Sequence, residues 1–507
     1  MRRAPGPRWA RNAAATGAGA LPALTFPAPS WWWLAPFALV PWLLLLRTAE
    51  TGRRAAVEGW LGGTAFMVAV HHWLLPNVHV FLFVLAALLG LLWAPWGWLA
   101  RRLLRPAEPG PVSAPLGALL LVPSGWLVVE LVRSWEYLGG PWGLLGASQW
   151  QVTPALRLAS VGGVWLVSFL LVAVNTAVVL VCCLPRARAG ALLALGGIAA
   201  ATAAAWAADP VPRRTGEVRV AVVQTGGTPS AERRFARSAE LTRELAGSRP
   251  DLVVWGESSV GFDLTARPDL RGRLVRLSAA VGAPLLVNVD ARAADRPGIY
   301  KSSVLVRPDG VSGERYDKMR LVPFGEYIPA RSVLGWVTSV GRAAGEDRRR
   351  GTEPVVMEAG GVRVGPLICF ETAFPDMSRH LAAEGAELLV AQSSTSTFQE
   401  SWAPEQHASL AALRAAETWR PVVHATLTGV SAVYGPRGEA VGRRLGRDGG
   451  ATAVYPVPLA AGTSPYVRLG DWPVLLAPAL LAGYGGTLAV RACRGARVEV
   501  RSPARPR

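Results

Sequence analysis

The sequence predicts a multispan α-helical membrane domain followed by an α/β domain of layered sheets. Two observations point there. Of 507 residues, 51% are hydrophobic and 21 are Trp, while only 17% are charged, a balance too apolar for a soluble protein of this length. The apolar residues are also unevenly spread. Residues 1–208 form long apolar runs broken by short basic clusters, whereas 216–465 alternate charged, turn and β-branched stretches. The expected layout is a membrane domain over 1–210, an α/β domain over 216–465, one closing helix over 472–490 and a basic tail over 491–507.

A membrane-crossing helix needs roughly 17 to 25 mostly apolar residues. Runs of that kind occupy 11–27, 31–46, 58–75, 79–100, 113–132, 159–184, 189–208 and 472–490. The first, rich in Ala and Gly, also reads as half of a signal sequence. It lacks an A-x-A site followed by a polar start, which argues against cleavage.

Lys and Arg in short loops mark the cytoplasmic side. Basic clusters fall at Arg2, Arg3, Arg8 and Arg11, at Arg47, Arg53 and Arg54, at Arg101, Arg102 and Arg105, at Arg186 and Arg188, and after Arg491. These are alternate loops. The segment PNVHV near residue 78 has no Lys or Arg, and the 133–157 loop has only Arg133 and Arg157. An odd number of spans therefore precedes the α/β domain and places it outside the cytoplasm. The net charge of +18 follows from this topology. No basic stretch is interleaved with aromatics as a nucleic-acid platform requires, so no nucleic-acid partner is expected.

The α/β reading rests on apolar, β-rich runs that end in polar clusters: 218–226, 251–259, 284–292, 301–310, 362–371 and 386–394. Helical patterns lie at 230–247 and 403–419. Such alternation fits an α/β or α-β-β-α layered domain with chemistry at the strand ends. Three strand-end residues stand out: Glu257 in WGESS, Lys318 in RYDKMRL and Cys369 in LICFE.

Cys369 is the one cysteine of this domain, since Cys182 and Cys183 lie in the sixth run and Cys493 at the end of the last. It has no intrachain disulfide partner in its compartment. An unpaired thiol there is either buried and inert or kept for reactivity. No second Cys or close His has metal-ligand spacing, and neither a metal nor a cofactor is expected. As a set the three residues suit acyl transfer. A thiol of ordinary pKa is a few per cent thiolate at neutral pH and needs a base or a cation. Glu257 can take the proton, and Lys318 can hold the thiolate and then an oxyanion. Taken singly, Glu257 also reads as a cap, Lys318 as a solvated base and Cys369 as a packed side chain.

The motifs WGESS, YDKMRLVPFGEYIP and LICFETAFP resemble the Glu, Lys and Cys motifs of the nitrilase superfamily. Within it, KMRLVPFGEYIP and the segment VVELVRSW…GGPWGLLG (128–146) are similar to the apolipoprotein N-acyltransferase family, over most of the chain. The resemblance implies a nitrilase-like extracytoplasmic domain on a multi-pass bacterial cell membrane protein acting as a monomer. It implies Cys369 as nucleophile, Glu257 as base and Lys318 as cation, with Glu326 and Glu371 as supporting acids. The implied donor is a membrane phospholipid, and the acceptor is the α-amine of a diacylglyceryl-cysteine at an apolipoprotein N-terminus. Phe324 and Tyr327 read as loop aromatics facing lipid or as core, with Phe398 and Trp402 as weaker candidates of the same kind.

This chain departs from the family pattern at 392–398 (QSSTSTF), at Leu427 and Thr428 where paired Asn residues are expected, and at Phe370 where Tyr is common. Hydroxyls of Ser393, Ser394 and Thr428 replace some amide hydrogen bonds but not all of their donors. A membrane-tethered amidase with water as acceptor, and a non-catalytic lipoprotein-binding scaffold, remain open alternatives. A Cys-His protease fits less well, because His380, His407 and His424 lie in no protease context. A transporter also fits poorly, with Glu130 the main intramembrane charge.

Overall fold

The computed structural model describes residues 7–105, 116–208, 212–228, 230–335, 345–447 and 449–501, with 491–501 as backbone alone. Arg2 and Arg3, the start of the fifth apolar run, residues 209–210 at the expected domain boundary, the tail beyond 501 and the side chain of Cys493 lie outside the described residues.

Up to residue 208 the described chain is helical: α1 (Arg8–Ala20), α2 (Val40–Thr48), α3 (Gly52–His71), α4 (Phe81–Gly90), α5 (Trp93–Leu104), α6 (Ala118–Arg133), α7 (Thr153–Cys183) and α8 (Arg188–Ala208). Among the described residues, three helical segments are long and apolar enough to cross a membrane: 153–183, 185–208 and 472–490. Helices α4 and α5, bent by 40°, make a fourth if taken together. The other expected runs form shorter helices and turns. Run 11–27 is divided between α1 and a 3₁₀ turn at Leu21–Thr25, and run 31–46 between a 3₁₀ turn at Trp32–Leu34 and α2. Pro22, Pro27, Pro29, Pro36 and Pro41 cause this, each lacking the N–H that an α-helix needs.

Lipid is as apolar as a leucine side chain, so helices in it associate through close packing across small residues. The helical region is built that way. Trp42, Trp96 and Trp126 meet edge-to-face with ring centroids 5.0–6.2 Å apart, and Trp93 meets Trp126 at 5.6 Å. Glycines on α3 admit them: a Cβ on Gly62 would overlap the Trp42 ring, and one on Gly63 would lie 2.7 Å from Trp93. Helix α8 instead faces outward. Leu193 and Trp206 are 77% and 57% exposed, an apolar surface that suits lipid rather than water.

From Arg213 the chain builds two sheets. The first has strand order β11-β1-β2-β3-β4-β5 and the second β10-β9-β8-β7-β6. The strands are β1 (Arg213–Gln224), β2 (Leu252–Trp255), β3 (Leu285–Arg292), β4 (Ile299–Arg307), β5 (Gly310–Asp317), β6 (Met357–Ala359), β7 (Val362–Ile368), β8 (Leu388–Ser393), β9 (Val422–Thr426), β10 (Ala432–Tyr434) and β11 (Ala451–Ala461). Each sheet has a parallel centre, β1-β2-β3 and β7-β8-β9, with antiparallel strands at its edges.

Side chains alternate along a strand, and so assign the layers. Ala221, Val223 and Val253 pack outward with Phe235 of α9 (Ala231–Arg243) and with Leu270 and Leu274 of α10 (Pro268–Val281). Val220, Val222, Leu252 and Val254 belong to the core shared with Val364, Leu388 and Val422 of the second sheet. Helices α11 (Pro375–Ala383) and α12 (Ala403–Thr418) pack on that second sheet. The result is an α-β-β-α sandwich. Its parallel strands carry their carboxyl ends, where α/β proteins place their chemistry, to one edge. The chain then enters α13 (Trp472–Arg501).

Candidate active site

Cys369 follows β7 directly and opens a 3₁₀ turn over Cys369–Ala373. Its φ of 54° lies in the left-handed region, a strained choice for a residue with a Cβ. Ser258, next to Glu257, and Phe324 share that region at 55° and 63°. His407 of α12 donates from Nε2 to the Cys369 carbonyl at 2.9 Å. The Sγ lies 3.9 Å from the Ser394 carbonyl.

Glu257 follows β2, where Gly256 permits close approach of the next loop: a Cβ there would overlap the Leu427 nitrogen. Lys318 follows β5 and is fully buried. Its Nζ lies 2.8 Å from Glu326 Oε1 and 3.4 Å from Glu257 Oε1. Glu326 Oε2 accepts from the Val322 amide at 2.8 Å, which ties the loop after Lys318 to the same cluster. These four sequence-predicted residues are therefore brought together.

Glu371 is placed differently. Its Oε1 accepts from the Tyr316 hydroxyl and the Met319 amide, each at 2.7 Å, and from the Arg320 amide at 3.0 Å. Its Oε2 accepts from the Ile368 amide at 2.7 Å. It thus clamps the residue before Cys369 to the segment after Lys318, behind the cluster rather than in it.

A second lysine, not singled out in the sequence, completes the charges. Lys301 Nζ lies 2.7 Å from Glu257 Oε1, 3.0 Å from Glu326 Oε1 and 3.8 Å from Asp290 Oδ2. The signal was parity: Lys301 shares the inward face of β4 with Ser303, which donates to buried Gln392, and with core Leu305. A charge on that face of a sandwich needs a buried counter-ion.

The electrostatics follow from these contacts. Burial opposes ionisation of Glu257, yet Lys301 and Lys318 outweigh it and hold its pKa below the usual value. Burial likewise opposes ionised Glu326, and Lys318 and Lys301 overcome it, bringing the pKa to about 2. Lys318 is lowered by burial but raised more by Glu326 and Glu257 and stays charged. The Cys369 sulfur opens to cavities yet is crowded by protein atoms. Burial and then Glu257 push its pKa up to about 12, against Lys318 and Lys301. The resting group is a thiol, which needs a base. His407 is not poised to be that base, because burial lowers its pKa to about 4 and its Nε2 is engaged by a carbonyl. His424 faces the Val430 carbonyl, and exposed His380 pairs with Glu384.

Two cavities meet at Cys369. One, of about 310 Å³, is mostly apolar and is walled by helical-region residues such as Met67, Trp73, Leu82 and Ala86 together with Phe370 and Phe398. The other, of about 540 Å³, holds Glu257, Asp290, Lys301, Lys318 and Glu326, with Arg234 also in its wall. Phe324, Ser394 and Phe398 line both. Tyr327 instead contacts Tyr137, with Arg350 against both rings, and Trp402 meets His72 edge-on.

The motif 128–146 organises the helical side. Arg133 donates to the Trp142 and Gly143 carbonyls at 2.6 and 2.7 Å, and Glu130 accepts from the Leu145 amide at 2.7 Å. Trp142 Nε1 then donates to Gln406 Oε1 of α12 at 2.8 Å. Buried Glu130 thus shapes a loop against the α/β domain. Ser394 and Thr428, at the departures from the family pattern, have hydroxyls 3.2 Å apart.

Comparison with known proteins agrees with the two-part build. A carbon-nitrogen hydrolase family model matches residues 219–463, the stretch that forms the sandwich. The apolipoprotein N-acyltransferase N-terminal domain model matches residues 18–177. The apolipoprotein N-acyltransferase of Pseudomonas syringae pv. tomato is 30% identical over 505 residues, covering 94% of this chain and 97% of its own length. That of Azotobacter vinelandii is 32% identical over 525 residues, covering 97% and 98%. The chain belongs to the apolipoprotein N-acyltransferase family, a family of acyltransferases. Among solved structures, an amidase from Nesterenkonia sp. is similar over 49% of this chain and 94% of its own, at 18% identity and a TM-score of 0.36.

Proposed function

We propose that this protein transfers a fatty acyl group from a membrane phospholipid, through a thioester on Cys369, to the N-terminal amine of a diacylated apolipoprotein. The observation that carries this reading is the junction at Cys369 of an apolar cavity walled by membrane-type helices and a polar cavity holding both glutamates and both lysines. One cavity suits an acyl chain and the other the chemistry.

In the first half-reaction Glu257 takes the thiol proton and the sulfur attacks the ester carbonyl carbon. Lys318 stabilises the oxyanion, in the manner of donors worth roughly 3 kcal/mol each. Collapse breaks the ester C–O bond, and the glyceryl oxygen takes the proton back from Glu257, leaving a lysophospholipid and a thioester. In the second half-reaction the neutral α-amine attacks the thioester and Glu257 accepts its proton. The departing sulfur recovers that proton, so an amide forms and the thiol is regenerated. Glu326 holds Lys318 in register, and Glu371 holds the nucleophile turn. Both substrates are lipids, so lateral diffusion brings them to a site held at one membrane surface.

The same reading makes the chain a multi-pass bacterial membrane protein with eight spans. The 216–465 domain lies outside the cytoplasm, the two termini lie inside, and the protein acts as a monomer. The alternate basic loops and the outward apolar face of α8 support it. A cysteine placed at Ser312 in a cysteine-free background is then labelled by an impermeant thiol reagent in intact spheroplasts; labelling only after lysis would reverse the topology.

The central test uses phospholipid radiolabelled in its acyl chain. The wild type acquires a label sensitive to neutral hydroxylamine, and a diacylated lipopeptide chases it, whereas a peptide with a blocked α-amine does not. Release of free fatty acid with no transfer would instead indicate an amidase-type hydrolase, and absence of any label would indicate a scaffold.

A further inference from the structure

Lys301 has no part in the mechanism above, yet its geometry is too specific for a bystander. Its backbone carbonyl accepts from the Lys318 amide at 2.9 Å, so the two lysines are adjacent across the β4–β5 edge. Asp290 is its register partner on β3. Both lysine hydrogen bonds to Glu257 go to Oε1, the one from Lys301 at 2.7 Å and the one from Lys318 at 3.4 Å. The shorter belongs to the lysine without a chemical role.

Titratable groups around Glu257 come from every neighbouring element: the charged Lys301 on β4, Asp290 on β3, Lys318 after β5 and Glu326 in the following loop, and the neutral Cys369 after β7 and His407 on α12. Arg234 on α9 lines the same cavity, and Arg348 reaches Asp290 at 3.4 Å. Without Lys301, Lys318 would be the nearest cation for two buried glutamates and also for the oxyanion. When Lys318 turned to the oxyanion, Glu257 would lose its compensation and take up a proton, as buried unpaired carboxylates do.

We propose that Lys301 is a positioning residue that keeps Glu257 ionised and oriented by Oε1 while Lys318 serves the nucleophile, and so sets the acid limit of acyl transfer. The inference rests on the role of Glu257 proposed above. The sign is determined by the contact: Lys301 favours the carboxylate, so Glu257 is a competent base down to a lower pH with Lys301 than without it.

The test measures the pH dependence of single-turnover labelling of Cys369 in the purified full chain, with radiolabelled phospholipid as donor. Lys301→Met moves the acid limb up by about one to three pH units, the effect typical of losing a neighbouring opposite charge. Lys301→Arg keeps the charge and leaves the limb near that of the wild type. Should Lys301→Met not fold, Asp290→Asn carries the test, because it removes the carboxylate competing for Lys301 and moves the limb down. A uniform loss of rate in Lys301→Met with the limb unmoved, or an unmoved limb in Asp290→Asn, overturns the proposal. Cys369→Ala and Glu257→Gln run alongside. Persistent transfer in either refutes the underlying mechanism, whereas two dead controls with an unmoved limb refute the role of Lys301 alone.

Discussion

The two cavities that meet at Cys369 are built by opposite means. The polar one takes its charged groups from the α/β domain, whose strand ends bring Glu257, Lys318 and Cys369 together and whose β4 adds Lys301, while the helical region gives it only Leu74, Asn77, Val78 and Phe81. The apolar one is made jointly, with the helical region giving Met67, Trp73, Leu82 and Ala86, and the nucleophile turn giving Phe370. On the proposed reading, chemistry is held by groups at the strand ends and substrate shape by the side chains that wall the apolar cavity. Substitutions on the two sides should differ in kind: rate on the polar side, selectivity on the apolar side.

The largest effect is expected from the polar side. Glu257→Gln leaves the thiol without a base, and Lys318→Met removes the cation beside the proposed oxyanion. Each should lower thioester formation by roughly a hundredfold or more, with Cys369→Ala abolishing it. Hydroxylamine-sensitive label per folded protein is the measurement. Wild-type labelling in Lys318→Met would break the comparison, because the polar cavity would then not be the seat of the chemistry.

Glu371 and Glu326 sharpen it next. Glu371→Ala strands four donors, three of them backbone amides, and each unsatisfied buried group costs roughly 1–3 kcal/mol. The variant should lose stability together with activity, seen as a lowered melting temperature. Glu326→Gln keeps its shape and a carbonyl acceptor, so it should fold. Its labelling should fall by roughly tenfold or more, because Lys318 loses its nearest anion. Equal melting temperatures for the two variants would contradict the placement of Glu371 behind the cluster.

These contrasts also explain what the sequence made legible. All six apolar runs of the α/β domain became strands, and the helices over 230–247 and 403–419 formed with their first turns in place. Strand β5 was legible only at its end, at Lys318, because GVSGERYD is a half-exposed edge with no alternation to read. Strand β11 escaped because two prolines interrupt ATAVYPVPLAA, which an edge strand tolerates. The site was legible as far as motif and chemistry coincide, at Glu257, Lys318, Glu326 and Cys369. Lys301 was hidden within KSSVLV, where only its inward parity distinguishes it. Glu371 was legible as an acid beside the nucleophile, but its partners come from Tyr316 to Arg320, which no spacing rule links to it. In the helical region composition announced a membrane, while the prolines between residues 22 and 41 divided runs that hydropathy reads as continuous.

On the apolar side a smaller effect of another kind is expected. Ala86 on α4 is buried and lines the apolar cavity. Ala86→Phe takes up space there without touching the charges. A methylene gained or lost in an apolar pocket changes discrimination by about 1–3 kcal/mol. Labelling from a long-chain donor should therefore fall by about tenfold relative to a short-chain donor, with the short-chain rate near that of the wild type. An equal loss for both chain lengths would mean that the acyl chain lies elsewhere.

The smallest effect is expected where the two sides touch. Gly140, in the loop shaped by Glu130 and Arg133, has φ +69°, and a Cβ on it would lie 2.6 Å from the Phe370 ring and 2.8 Å from that of Phe374. The two rings meet edge-to-face at 5.0 Å directly after the nucleophile. Gly140→Ala must displace one of them and narrow the apolar cavity that Gly140 and Phe370 both line. Its neighbour Gly139 lines the same cavity but touches neither ring, and so separates the ring contact from backbone strain. Gly139 has φ +103°, at least as unfavourable for alanine, yet nothing lies within 4 Å of its Cβ position. Both variants should lower the melting temperature by a few degrees, as about 1–2 kcal/mol of strain does. Only Gly140→Ala should also slow labelling per folded protein, by about two- to fivefold for a ring displaced by less than its own width. Equal rates in the two variants would show that the loop contributes stability to the nucleophile turn and nothing to the shape of the acyl cavity.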